Sequence, residues 1–322
     1  MDKVFFEELS LPEPVADLGV GSGTHGYQTG EMLIRLEKAL KKYSPCLVVV
    51  PGDTNSALAG GLAAVKLGIP VAHVEAGLRC NIPFMVEEIN RVLLDHLSQH
   101  LFAPTATALT NLRREGLAHV AKMPGDVMAD NILLFRHELT KVRIPASLRR
   151  REFAYVTVHR AENIDDEKRL AKVASIISTV AGRFGIKVAF AVHPHTRRKL
   201  EEAGLIHTLE SKELLLLKPV SYLHSLRLAQ DAAVVVTDSG GLQKESFLLG
   251  TPCVTLRPAT EWTETVESGW NVVTDLDSKR VYEGVRGFLK SKPEQVDAIS
   301  LYGNGRASER IVGSVLKSLG GS

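Results

Sequence analysis

Short apolar runs alternate with amphipathic stretches along the whole chain, and this rhythm constrains the fold more than any other feature. In the first half "CLVVVPGD", "PVAHVEAG", "HLFAPT" and "HVAKMPGD" are separated by stretches such as "EMLIRLEKALKKY" and "MVEEINRVLLDHLSQ". In the second half "FAYVTVHR", "KVAFAVHP", "LLLLKPV", "AAVVVTDSGG" and "PCVTLRP" alternate with helical stretches in the same way. Runs that are apolar at every position suit strands buried on both faces, and parallel strands need a crossover between them. The pattern predicts two parallel α/β sheets with helices on both faces. A polar, basic, Pro-containing segment, "TKVRIPASLRRREFAY", interrupts it and places a linker around residues 141–152. The final segment, "GNGRASERIVGSVLKSL", reads as one more amphipathic helix with no strand after it.

The length, 322 residues, exceeds the usual size of one core and agrees with two domains. No apolar run is long enough to span a bilayer, and "MDKVFFEELSLPEP" carries acids where a signal peptide would carry Lys and a long apolar core. The expectation is a cytoplasmic protein with no membrane partner. Lys and Arg number 39 against 37 Asp and Glu, a net charge of +2, which argues against a nucleic-acid surface. Cys46, Cys80 and Cys253 are far apart and lack CxxC spacing, so they read as buried thiols rather than a disulfide frame or a metal site.

Ligands of open parallel sheets bind at the carboxyl ends of the strands. There the sequence places Asp53, Thr54 and Asn55; Glu75, Gly77 and Arg79; His159, Arg160, Glu162 and Asn163; His193 and His195; Ser239, Gly240 and Gly241; and Arg257, Thr260 and Glu261. Each has an ordinary structural explanation. Asp53 could simply cap the next helix, Glu75 could pair with Arg79, Glu87 and Arg91 could form a surface pair four apart, and His159 could be a buried hydrogen-bonded histidine. Their joint occurrence favours a site. It holds carboxylates, histidines and arginines but no metal-ligand cluster.

In "VVVTDSGGLQKESFLLG" the valines read as a buried strand and the segment after the glycines as a helix closed by Gly250. A helix amino terminus offers unpaired N–H groups and partial positive charge, and glycine lets phosphate approach the backbone. Ser239 adds a hydroxyl donor. Glu245, about one and a half turns into the helix, is placed to accept from a sugar hydroxyl. The alternative is a plain tight turn, with Asp238 or Ser239 capping the helix.

Taken in order, "GDTNSALAG", "VAHVEAGLR", "EEINR", "LFAPT", "VTVHRAEN", "VHPHTR" and "TDSGGLQKES" resemble the non-hydrolysing UDP-N-acetylglucosamine 2-epimerase family over nearly the whole chain. The resemblance implies two Rossmann-like domains in a GT-B arrangement with a nucleotide sugar in the cleft. The domains would span 1–146, with a last helix over 305–322 packing back onto it, and 147–304, the UDP-binding half. It implies epimerisation at carbon 2 by elimination and re-addition of UDP, for cell-surface polysaccharide precursors. Asp53, Glu75 and Glu87 match the family's catalytic carboxylates and His159 its active-site histidine, expected to meet the leaving phosphate. Arg91 would set the position and ionisation of Glu87; Ser239, Gly240 and Gly241 match the diphosphate turn, and Glu245 the ribose contact. His193 and Arg257 join the substrate-binding set. No cofactor is required, because the hydrogen leaves carbon 2 as a proton, and a homodimer is expected.

Two departures from the family pattern matter. The chain starts at what reads as the end of a helix, "DKVFFEELSLP", so the first domain is expected to be incomplete, with "DLGV" at residues 17–20 as its outer strand. Bacterial members often have Arg after the Thr-Glu pair where this chain has Trp262, so Arg257 or His159 would carry more of the phosphate charge. Other readings of the same cleft are an inverting GT-B glycosyltransferase, a nucleotide-sugar-binding protein without turnover, and a hydrolysing epimerase.

Overall fold

The computed structural model describes residues 6 and 8–320. Among them the apolar runs form ten strands in two sheets, parallel throughout. In the first sheet β1 (Val48–Pro51), β2 (Val71–Val74), β3 (His100–Phe102) and β4 (Ala121–Lys122) lie in that order. The second holds β5 (Phe153–Thr157), β6 (Lys187–Ala191), β7 (Leu214–Leu217), β8 (Val234–Thr237), β9 (Cys253–Thr255) and β10 (Asn271–Val273). Its spatial order is β10-β9-β8-β5-β6-β7, so the winding reverses between β5 and β8. Chain-order neighbours run outward on both sides of that junction, and a crevice opens there at the strands' carboxyl ends.

The strands are where the valine and leucine runs placed them, with one addition. β10, "NVV", is too short and too closely flanked by polar residues to stand out in the sequence. Its neighbours explain it: Asn271, Val272 and Val273 add to the edge of β9 in register with Cys253, Val254 and Thr255. The central β8 is buried along its length, as a strand covered on both faces must be. The helix Glu167–Arg183, capped by Asp166, whose side chain accepts from Arg169 N, packs on β6 in the same core cluster as Val234 and Val236 of β8. Leu170, Val173, Ile176, Ile177 and Val180 recur at helical spacing and supply its buried stripe.

Two compact units emerge. One comprises Pro12–Asn131 with Ile299–Ser322, and the other Met1–Leu11 with Ile132–Ala298. The division lies ahead of the expected linker because the residues between are apolar at the right spacing. Ile132 and Leu139 pack with Leu223 and Leu226, and Leu148 joins the core around Tyr155. In the first unit the helix Ala307–Leu319 lays Ile311 and Val315 on Ala72, Val74 and Phe102, covering one face of β2 and β3. Residues 17–20 form no strand, which corrects the sequence expectation. The Asp17 carboxylate takes the Gly19 N–H in a local turn, and Arg35 takes the Leu18 and Gly19 carbonyls, so the segment is held by a helix instead of a ladder. β1 is therefore an edge strand, and Val49 is half exposed. Cys46 is exposed whereas Cys80 and Cys253 are buried. Among the described residues no helix is long and apolar enough to cross a membrane.

Candidate active site

The first unit gathers its polar strand ends around a buried acid. His73, within β2, directs Nδ1 to Asp95 Oδ1 at 2.7 Å and Nε2 to the Gly52 carbonyl at 2.9 Å. Asp95 Oδ2 accepts from Gly77 N at 3.0 Å and meets Arg79 at 2.8 Å. Arg79 continues to Glu115 through bonds of 2.8 and 2.7 Å. One carboxylate thus ties together the turns that follow β1 and β2. Gly77 must be glycine: its φ is +83°, and a Cβ would stand 2.3 Å from the Ala108 carbonyl oxygen.

Those turns carry two of the three candidate carboxylates, Asp53 and Glu75. Glu75 has φ +69°, a conformation that costs a non-glycine residue about 1–3 kcal/mol and persists where neighbours enforce it. A Cβ on Gly52 would lie 3.4 Å from Glu75 Oε2, so that carboxylate rests against the turn bearing Asp53. Asp53 does not cap the next helix. Thr54 does, accepting from Ala57 N, while Asp53 Oδ2 receives Arg91 NH2 at 2.5 Å. Arg91, 1% exposed, also meets Glu88 at 3.2 Å, and Glu88 accepts from the Cys80 and Asn81 amides. Glu87 lies half-buried in the first turn of the same helix, Val86–Leu97.

The second unit builds a cavity at its topological switch point. Side chains two apart share a strand face, so Tyr155, Thr157 and His159 line up from the floor of β5 to beyond its end, and Ala191 and His193 do the same on β6. These residues, with Pro219, Val220, Ser221, Tyr222, Ser225, Leu242 and Glu245, enclose about 330 Å³. Ser239 caps the helix Gly240–Leu248, accepting from Leu242 N, which places the helix amino terminus at the cavity rim. Beneath it Thr157 and Thr237, paired across β5 and β8, bond through their hydroxyls at 2.7 Å, and Thr237 Oγ1 accepts from Ser239 N.

Asp238 is the buried anchor of this unit. Its carboxylate takes the His159 and Arg160 amides at 3.1 and 3.0 Å and Asn163 Nδ2 at 2.9 Å. His159 is exposed at its side chain, 43%, with Nδ1 3.6 Å from Asp238, and its ring lies 6.1 Å from that of His193. Desolvation holds the His193 pKa below the usual histidine value, with the charges of His159 and His195 acting the same way. Arg257, buried after β9, pairs with Glu261 at 2.9 Å. Among the described residues no three His, Cys, Asp or Glu side chains converge as a metal site would need.

The sequence profile of the family described as UDP-N-acetylglucosamine 2-epimerase matches residues 1–316. The chain belongs to that family. It is 43% identical to the UDP-N-acetylglucosamine 2-epimerase of Methanocaldococcus jannaschii over 97% of this chain and 86% of that protein. The same identity and coverage relate it to the UDP-2,3-diacetamido-2,3-dideoxy-D-glucuronate 2-epimerase of Pseudomonas aeruginosa. The crystal structure of the M. jannaschii enzyme in complex with UDP-GlcNAc and UDP matches with a TM-score of 0.93 over 98% of this chain and 88% of that one.

Within this epimerase fold, three readings of the site residues change. Arg91 is no surface side chain: it is buried and meets Asp53 and Glu88. Arg79 pairs with Asp95 and Glu115, not with Glu75. His159 stands out from the end of its strand instead of being buried in it. His73, Glu88 and Asp95 escaped notice as site-building residues, and Asp238, weighed only as a helix cap, instead accepts from the His159 and Arg160 amides. Glu88 sits beside Glu87 in "VEEIN", and helical phase alone would have turned it inward with Arg91. The partners of His73 and Asp95 lie too far along the chain for any local pattern to show.

Proposed function

We propose that the chain interconverts UDP-N-acetylglucosamine and UDP-N-acetylmannosamine, or a closely related UDP-2-acetamido sugar, without hydrolysis. The observation that carries this reading is the 43% identity, over nearly the whole chain, to an enzyme crystallised with UDP-GlcNAc and UDP. The cavity beside a glycine-started helix supports it, because it joins an apolar chamber for a nucleoside to an amino terminus for phosphate. In this reading Ser239, Gly240 and Gly241 hold the diphosphate, Glu245 a ribose hydroxyl, and His193 and Arg257 line the approach.

Chemistry follows from the carboxylates. One of Asp53, Glu75 and Glu87 removes the proton from carbon 2 while the carbon 1–oxygen bond breaks toward UDP, leaving a carbon 1–carbon 2 double bond. His159 meets the developing charge on the departing diphosphate. A second carboxylate protonates carbon 2 from the other face, and a diphosphate oxygen re-forms the bond to carbon 1. Arg91 holds Asp53 and Glu88 in place for these transfers. Atoms and charge balance with no redox partner. The same reading gives a homodimer in the cytoplasm, where nucleotide sugars are the substrate pool.

The test is turnover of UDP-GlcNAc in deuterated water, with no sugar acceptor present. Deuterium should enter carbon 2 of both epimers, and Asp53→Asn or Glu75→Gln should lower turnover by about a hundredfold or more while UDP still binds. Retention of the original hydrogen, or release of free sugar, would overturn the mechanism.

A further inference from the structure

The cavity of the second unit has two walls of different character. Ser239 follows β8, and Pro219 to Tyr222 follow β7, with β5 and β6 between them in the sheet. Three strand spacings separate the walls by about 14 Å. A ligand whose diphosphate sits at the Ser239 wall therefore reaches the other wall with its nucleoside. That second wall runs directly into the helix Tyr222–Asp231.

This helix is capped from far along the chain. Ser221 stands at its N-cap position, where a serine hydroxyl ordinarily accepts from the amide of the second or third helical residue, yet it caps no amide. It donates instead to Glu8 Oε1, and Glu8 Oε2 accepts from Leu223 N at 3.2 Å. A carboxylate 213 residues away thus takes over the cap and holds the serine as well. The partial positive charge of a helix amino terminus suits an acid there. With its proton spent on Glu8, Ser221 Oγ accepts from His224 Nδ1 at 2.9 Å. Beside Glu8, Leu9 packs with Ile132, Leu139, Leu223 and Leu226 in a cluster that also takes in Tyr222. Leu9 supplies apolar burial, whereas Glu8 fixes the backbone that bears Ser221 and Tyr222.

We propose that Glu8 is a positioning residue for the nucleoside end of the UDP-sugar site, acting through Ser221 and the Leu223 amide to fix the wall after β7. This rests on the UDP-sugar reading above. Glu8 does not itself line the cavity. Its loss leaves the first turn of the helix Tyr222–Asp231 without a cap and loosens the wall around the nucleoside, while the diphosphate turn and the carboxylates at carbon 2 keep their own supports. Substrate and transition state carry the same nucleoside, so the effect falls on binding and not on the chemical step.

Binding of UDP and of uridine to the full chain should be measured for Glu8→Ala, Glu8→Gln and Leu9→Ala, with KM and kcat for UDP-GlcNAc and the melting temperature of each. Glu8→Ala should weaken UDP and uridine by the same factor, about fivefold, and raise KM in parallel with kcat held within about twofold. Glu8→Gln should recover most of the loss: its amide oxygen accepts from Leu223 N, its amide nitrogen donates to Ser221 Oγ, and the serine hydroxyl turns to His224. Leu9→Ala should lower the melting temperature and leave UDP affinity within about twofold. UDP affinity unmoved in Glu8→Ala, or lost equally in Glu8→Ala and Leu9→Ala at an equal fall in melting temperature, would reduce Glu8 to a structural tether and overturn the proposal. Failure of the unaltered chain to bind UDP would strike the reading of the site instead.

Discussion

Removing Asp95 should unfold the first unit selectively, by an amount the hydrogen bonds allow to be worked out. Asp95 is fully buried and accepts from His73, Gly77 N and Arg79. In Asp95→Ala those donors lose their acceptor, and Arg79 keeps Glu115 and the Leu78 carbonyl. Breaking a buried pair from one side costs about 3–5 kcal/mol, so about 4 kcal/mol is expected. Asp95→Asn should cost far less, about 1–2 kcal/mol. The amide oxygen can still accept from Gly77 and Arg79, and the amide nitrogen can donate to His73 Nδ1 while Nε2 donates to the Gly52 carbonyl. The two tryptophans, Trp262 and Trp270, both belong to the other unit, so their fluorescence follows that unit and far-ultraviolet circular dichroism follows both. In urea, with a slope of about 2 kcal/mol per molar, the alanine variant should lower the first-unit midpoint by about 2 M and leave the fluorescence transition in place. Equal losses for Ala and Asn, or a fluorescence shift as large as the dichroism shift, would refute the account of Asp95 as a local anchor.

Two further outcomes follow from the second unit. Gly240→Ala drives a methyl into the Glu261 carboxylate and should weaken UDP about tenfold by calorimetry, with the tryptophan-monitored midpoint almost unmoved; unchanged affinity would leave Gly240 as a helix start and nothing more. His193, whose pKa desolvation depresses below the unfolded value near 6.5, binds fewer protons when folded, so the second unit should lose stability as pH falls from about 6.5 toward the folded pKa. Urea titrations from pH 7.5 to 5 followed by fluorescence should show this loss, and His193→Asn should flatten it.

The strands and the polar residues after them were legible because buried parallel strands announce themselves as unbroken apolar runs, as in "CLVVVP" and "AVVVT". Local chemistry narrowed the cap to Asp238 or Ser239, and the structure gives it to Ser239. What failed was pairing across sequence distance. "DLGV" has the composition of a strand end, yet with Asp17 turning back on Gly19 and Arg35 claiming two carbonyls it has no ladder to join. Nothing local in "GLQKES" marks Lys244 for burial; its aromatic neighbour Trp262 arrives from beyond β9.

Both units solve one problem by the same device. A site at strand ends sits on loops, and loops lack the ladder bonds that fix strands, so something buried must hold them. Asp95 takes the Gly77 amide and, through His73, the Gly52 carbonyl; Asp238 takes the amides of His159 and Arg160. Each acid is fully buried, and each is fed by backbone as well as side chains, which is the arrangement that compensates a desolvated carboxylate best. The groups proposed to do chemistry, Asp53 at 27% side-chain exposure and His159 at 43%, are the accessible ones on the same loops. In the proposed mechanism, holding and reacting therefore fall to different side chains, so that the groups meant to meet the substrate are not the ones that fix the loops.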